Sequence, residues 1–291
     1  MTVRHWGMIL LAAALFGSSF VFIKIAVADI PPLTIAAGRA TIAAIVIIAF
    51  AHARGTHLPP IGPEWRPLVI VGVLTAIIPY VGISFGQALI DSALGGILFA
   101  AIPLFTVFLA HVFLPNERLT AVRLAGALIG VAGVVVVLGP AALAGLTNQI
   151  TGAGLTLVAA ASYAAGAIYT RTQSQIAPLI MASGQIFSAA LALTALSIGI
   201  DKHWTLAPPT SAVAALIAVG LISTAAPVLL FFRMVYEIGP ARTSTLTFFM
   251  PVFSVLFGFA FLGETLSSTA FFGLALIIVG AAMINRRPTD G

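Results

Sequence analysis

Apolar positions run along this chain in long unbroken stretches, unlike the alternation of strands or the one-sided stripes of soluble helices. Ten stretches are read, at 7–28, 32–52, 67–88, 93–114, 121–139, 151–172, 178–199, 211–236, 241–262 and 268–286. Each has about the length that crosses ~30 Å of hydrocarbon at ~1.5 Å per residue. Breakers separate them: Pro31-Pro32, the stretch His57 to Pro67, Asp91, Pro115-Asn116, Gly139-Pro140, Asp201 to Pro209, Gly239-Pro240 and Gly263. No connection is long enough to hold a soluble domain. The pattern predicts an all-α membrane protein of ten transmembrane helices.

The stretches repeat at an offset of 147–148 residues, which pairs Gly7 with Gly154, Pro31 with Pro178, Pro79 with Pro227, Pro103 with Pro251, Glu117 with Glu264, Gly126 with Gly273 and Gly133 with Gly280. Residues 1–148 and 149–291 therefore read as two five-helix repeats that together form one transport domain. An odd helix count forces the second copy to enter the membrane upside down, which gives two inverted repeats about an axis in the membrane plane. Such a pair can expose one central site to either side.

Composition narrows the class. Hydrophobic residues make up 60% of the chain and charged residues 7%, against about 25% charged in soluble domains. The net charge of +5 is spread as single basic residues between apolar runs, so no nucleic-acid surface is expected. With Cys 0, no disulfide framework, thiolate nucleophile or cysteine metal site is available. The amino terminus mimics a secretory signal, ending in Ala26-Val27-Ala28. It is expected to be retained, because the apolar run is long enough to span and its counterpart, Ala153 to Arg171, lies in mid-chain.

Basic residues set the expected orientation. With both termini cytoplasmic, Arg4, Arg54, Arg66, Arg118, Arg123, Arg171, Arg233, Arg242, Arg286 and Arg287 fall on or near the inner side and only Lys202 lies in an outer loop. Trp6 and Trp65 then sit at the inner interface and Trp204 at the outer one. Nothing in the pattern specifies an oligomeric partner.

Mid-span prolines each free a backbone carbonyl that must find shelter in a cavity or against another helix. Pro79, Pro103, Pro227 and Pro251 are all of this kind and are paired by the repeat, so they are expected to act as conformational hinges, although a proline can equally be a packing kink. Aromatic and small polar residues gather at the same depth: Phe16, Ser18 and Ser19, Tyr80, Ser84 and Gln87, Phe99 and Thr106, Tyr163, and Thr245, Thr247 and Phe248. As a set they are candidates to line a substrate pocket; singly, each is as well explained by core packing or a bond back to its own helix.

Charges inside a membrane are informative because they are costly. Lys24 and Arg39 lie in the outer half on adjacent helices, where Asp29 or Asp91 could neutralise one of them. Snorkelling to the headgroups is the plain account of Lys24; holding a substrate carboxylate is the sharper one, and it suits the deeper Arg39 better. His111 reads as a snorkelling residue, and Glu117 and Glu264 as caps of the helices that follow them. Gly82-Ile83-Ser84-Phe85-Gly86 matches the hydrolase pattern G-x-S-x-G but sits inside a spanning helix, without the strand-to-helix elbow that exposes such a serine. Its glycines, like Gly126 and Gly130, fit close helix packing instead. No metal-ligand cluster or P-loop appears, so no metal or cofactor is expected.

Ala241-Arg242-Thr243-Ser244, Pro251-Val252-Phe253, Phe261-Leu262-Gly263-Glu264-Thr265-Leu266, then Phe272-Gly273 and Gly280 resemble the repeat signature of EamA-type transporters in the drug/metabolite transporter superfamily. The first half echoes it with Ala93, Pro103-Leu104-Phe105, Glu117-Arg118-Leu119, Gly126 and Gly133, but carries Pro115-Asn116 where Leu-Gly would stand. The resemblance spans nearly the whole chain and is greatest to the bacterial aromatic amino-acid exporters. It implies ten helices, cytoplasmic ends, a bacterial inner-membrane location and export of small metabolites, with Phe16, Tyr80, Ser84, Phe99, Tyr163 and Phe248 around one cavity. The expected activity is export of neutral or zwitterionic metabolites, amino acids among them, by alternating access. An exporter of cationic drugs is the alternative, weakened by the lack of a carboxylate in the first helix, Gly7 to Ala28; an intramembrane enzyme lacks an acid/base constellation.

Overall fold

The computed structural model describes residues 2–90, 98–115, 117, 119–138, 150–202, 205–262 and 268–285, and they are helices and short connections with no strand among them. In chain order the helices are α1 (Val3–Val27), α2 (Pro32–Ala53), α3 (Trp65–Leu89), α4 (Ile102–Phe113), α5 (Ala121–Leu138), α6 (Ile150–Thr172), α7 (Pro178–Ile200), α8 (Thr210–Ile238), α9 (Leu246–Leu262) and α10 (Ser268–Asn285). A single turn, Pro240–Thr243, precedes α9. Among the described residues α1, α2, α3, α6, α7 and α8 are each long and apolar enough to cross a membrane, and the rest are shorter apolar helices. The start of the expected fourth span, together with Asp91, Ala93, Asn116, Arg118, Gly139, Pro140, Trp204, Gly263, Glu264, Arg286 and Arg287, lies outside the described residues.

Large apolar side chains point outward all round the bundle, among them Ile45, Phe108, Leu128, Val158 and Leu191. Such a surface is stable only against lipid. Prolines punctuate the starts: α2 opens at Pro32 and α7 at Pro178, where the missing amide is one that no helix could satisfy. Asp201, just past α7, accepts from the Thr34 amide at 2.8 Å and from its hydroxyl at 2.7 Å, which supplies α2 with a cap from another helix.

Several helix pairs join the halves, and two of these seams reveal how they run. In the first, a Cβ added at Gly280 of α10 would lie 2.6 Å from both Gly126 O and Gly130 N of α5, and one at Gly133 would lie 2.8 Å from Gly273 O. Backbone therefore meets backbone. Since 126 faces 280 while 133 faces 273, the two helices run antiparallel. In the second seam, Thr41 meets Thr194 and Thr34 meets Ser197, each at 3.0 Å, so α2 and α7 are antiparallel too. Around these seams α6 packs on α3 and α4, while α1 packs on α8 and α9.

The mid-span prolines have a local solution. Val73–Ile77 in α3 and Leu221–Ala225 in α8 are π-turns, 148 residues apart, and Pro79 and Pro227 stand in the first turn after each. The widened turn absorbs one extra residue and lets the ring fit without a clash. In α3 the Ser162 hydroxyl of α6 donates to Leu74 O at 2.9 Å, so a carbonyl of the π-turn is satisfied from a neighbouring helix. Pro103 opens α4, where a proline is at ease, and Pro251 lies inside α9.

Candidate functional site

A cavity lies between helices of both halves, lined by Phe16, Ser19, Phe20, Arg39, Pro79, Tyr80, Ile83, Phe99, Tyr163, Leu246, Thr247 and Met250. Phe16, Ser19 and Phe20 share one face of α1 at helical spacing. They stand ~20–25 Å above the start of that helix, beyond its midpoint. Five of the twelve lining residues are aromatic, and further rings stand behind them. Tyr163 lies 6.2 Å from Phe99 and 4.9 Å from Phe231, centroid to centroid, and Phe231 is 5.4 Å from Phe232. The free volume is about 30 Å³. That is room for one or two waters, so the site must widen to admit a metabolite.

Among the described residues one full charge faces this space. Arg39 is 3% exposed, its Cζ lies 3.9 Å from the centroid of the Tyr80 ring, and its Nε donates to Thr224 Oγ1 at 3.2 Å. Lys24 is exposed on α1, in keeping with snorkelling, and Asp29 is exposed beyond it. Neither shares the cavity with Arg39.

Of the residues expected to line a pocket, Phe16, Ser19, Tyr80, Phe99, Tyr163 and Thr247 are on the wall, with Pro79 and Arg39. Ser18 is turned toward α8, where its hydroxyl meets that of Ser223 at 2.7 Å. Among the described residues Ser84, fully buried, has no polar partner, and the Gln87 amide has none either. Thr245 donates to Arg242 O. Phe248 is fully buried against α5, its ring filling the space left by the missing side chain of Gly130. Phe20, Ile83, Leu246 and Met250 complete the wall and carry no polar signal; Phe20, Ile83 and Met250 stand three or four positions from Phe16, Tyr80 and Thr247, and Leu246 four from Met250, which is the trace they leave in the sequence.

Polar contacts tie helices together at the end of the bundle that carries the amino terminus. Glu237 of α8 accepts from Arg4 of α1 and from Arg233, both at 2.8 Å, and His5 lies 3.4 Å away. Arg171 of α6 donates to Tyr236 O, and the Tyr236 hydroxyl to Gln173 O at 3.1 Å. Glu117 was expected to cap α5, but it holds the Arg123 guanidinium at 2.6 Å and the capping falls to Thr120, which accepts from the Arg123 amide at 3.2 Å. The shorter threonine reaches the amide, while the longer carboxylate compensates a buried cation.

The family model for the EamA-like transporter family matches residues 6–139 and again 150–286. The chain belongs to that family. It is a multi-pass membrane transporter of the drug/metabolite transporter superfamily. It is 26% identical over 271 residues to an Escherichia coli protein described as the uncharacterized inner membrane transporter YedA, with 93% of this chain and 87% of that one covered. It is also 26% identical over 289 residues to a Streptantibioticus cattleyicolor protein described as a probable terminal-alkyne amino-acid exporter, with 97% and 93% covered. A crystal structure superposes with a TM-score of 0.78 at 24% identity over 96% of this chain and 98% of its own; likeness at that identity concerns the fold alone.

Proposed function

We propose that this transporter exports small neutral or zwitterionic metabolites, amino acids and aromatic ones among them, from the bacterial cytoplasm by alternating access. The observation that carries the reading is the ring-lined cavity enclosed by helices of both halves, with Phe16, Tyr80, Phe99 and Tyr163 on its wall. Aromatic faces supply apolar contact and stacking for a side chain. Ser19, Thr247 and the backbone near the prolines offer polar groups for the remainder.

Ten spans in two inverted repeats, 1–148 and 149–291, fit the same reading. The paired offsets, the twofold family match and the antiparallel seams between α2 and α7 and between α5 and α10 support it. Inverted halves give the two end states equivalent packing, so one rocking motion can serve both. The basic residues favour cytoplasmic termini in an inner membrane. The contacts that tie helices together at the amino-terminal end, with the cavity beyond mid-span, then fit a state shut toward the cytoplasm. A cationic drug fits less well, because Arg39 places a positive charge in the wall and no carboxylate is found among the described lining residues.

Counterflow into proteoliposomes preloaded with unlabelled amino acids tests the reading. Saturable, stereoselective accumulation of labelled phenylalanine, tyrosine or an aliphatic amino acid is expected. Accumulation of lipophilic cations with no amino acid moved would reverse it.

A further inference from the structure

Arg39 is a full charge held in the membrane interior without a counter-ion among the described residues. The ion pairs described elsewhere join Arg4, His5 and Arg233 to Glu237 and Arg123 to Glu117; none reaches the cavity. A buried charge left unpaired is strongly unfavourable, so its retention asks for a partner that comes and goes.

The surroundings fix the guanidinium and leave part of it unused. Thr224 donates its own hydroxyl proton to Val219 O at 2.7 Å, a bond spanning five residues across the π-turn of α8, and so presents a lone pair to Arg39 Nε at 3.2 Å. The Tyr80 ring covers one face of the planar group at 3.9 Å. Among the described residues Nε makes the single hydrogen bond of this side chain, and the two terminal nitrogens make none. A planar fork held on one edge and one face, on a side chain that lines a cavity and with its other donors unused, suits a carboxylate that binds through two parallel bonds.

We propose that Arg39 is the anchor for a substrate carboxylate, so that the transported compounds are small carboxylates, amino acids included, whose apolar part lies among Phe16, Phe99 and Tyr163. This rests on the transport reading above for the identity of the cavity, and adds the group every substrate must carry. Thr224 and Tyr80 are positioning residues: they aim the fork and do not supply the charge.

The test uses the purified full chain and a matched set of probes: 3-phenylpropionate, its methyl ester, phenylalanine and 2-phenylethylamine. Ligand binding is read as the rise in melting temperature, and transport as counterflow. The two acids should stabilise the protein, while the ester and the amine should not. Arg39→Gln should weaken acid binding about tenfold or more, the usual range for losing a charged hydrogen-bonded partner. Arg39→Lys, which keeps the charge but loses the fork, should retain part of it. Should Arg39→Gln fail to fold, the wild-type probe set and the lysine variant still decide. The proposal is overturned if the ester stabilises as well as the acid, if no acid stabilises, or if Arg39→Gln keeps wild-type affinity. Acids that bind while no amino acid is moved would overturn amino-acid export and leave the anchor standing. Amino acids moved with unchanged KM by Arg39→Gln would do the reverse.

Discussion

Glu237 accepts from Arg4 at 2.8 Å across 233 positions of sequence, and this contact ties the first turn of α1 to the last turn of α8. Both arginines bound to Glu237 are more than half exposed, at 57% and 56%. Such pairs contribute little to folding, about 1 kcal/mol or less. Their effect is expected on the balance between two conformations of similar energy. Glu237→Gln should therefore leave the melting temperature nearly unchanged while opening the amino-terminal end more often. The chain has no cysteine, so Thr247→Cys gives a single reporter on the cavity wall. Impermeant maleimide applied from that end should label it several-fold faster in the Glu237→Gln background; equal rates would show that the contact does not gate the cavity.

Tyr163 and Phe248 are both aromatic, yet they should respond differently to alanine. Tyr163 forms wall between Phe99 and Phe231, and its loss should weaken aromatic substrates by about 2- to 12-fold, the equivalent of ~0.5–1.5 kcal/mol of ring contact, in a protein that still folds. Phe248 fills the notch at Gly130, and its truncation should cost about 3–5 kcal/mol of stability. Counterflow and unfolding measured on both variants separate the two roles.

The glycine repeat partners also divide. Gly280→Ala would press a methyl group on backbone atoms of Gly126 and Gly130 that cannot turn aside, and a loss of about 1–3 kcal/mol is expected. Gly7 and Gly154 have nothing within 4 Å of an added Cβ, so alanine there should be neutral or mildly stabilising, by up to ~1 kcal/mol. Thermal unfolding of the three variants in one detergent provides the comparison.

Pro79 and Pro227 occupy equivalent places after equivalent π-turns. Alanine at either restores an amide that allows the turn to tighten into regular α-helix. Turnover should fall more than substrate affinity, because the change biases the conformational equilibrium and leaves the wall contacts alone. Counterflow rates set beside equilibrium binding check this: affinity lost with turnover preserved would mark these prolines as packing features.

How much of this was legible before the structure depends on which residues leave a periodic trace. The apolar stretches and the 148-residue spacing of Pro79 and Pro227 could be read directly, since lipid demands length and proline has few alternatives. Phe16, Tyr80, Phe99 and Tyr163 stood out as rings at matching depth. The turn of Ser18 toward Ser223 could not be foreseen, because a difference of one residue swings a side chain by ~100° around a helix axis. Ser162 left no signal either: its value lies in a carbonyl of α3 that only the fold brings near. Arg39 lay between the two cases. Its rarity marked it as special, whereas its lack of a carboxylate neighbour among the described residues emerged only from the packing.

The glycine seam between α5 and α10 has a mechanical consequence. Met283 and Ile277 sit in notches left by Gly126 and Gly133, with main chain touching main chain on either side. No layer of soft side chains remains there to shear, so sliding by a residue would drive Cβ atoms into carbonyl oxygens. Whatever rearrangement carries cargo across, this pair of helices should travel as one stiff axle, and the give should come from looser pairs such as α1 and α8, which touch through hydroxyls and exposed ion pairs.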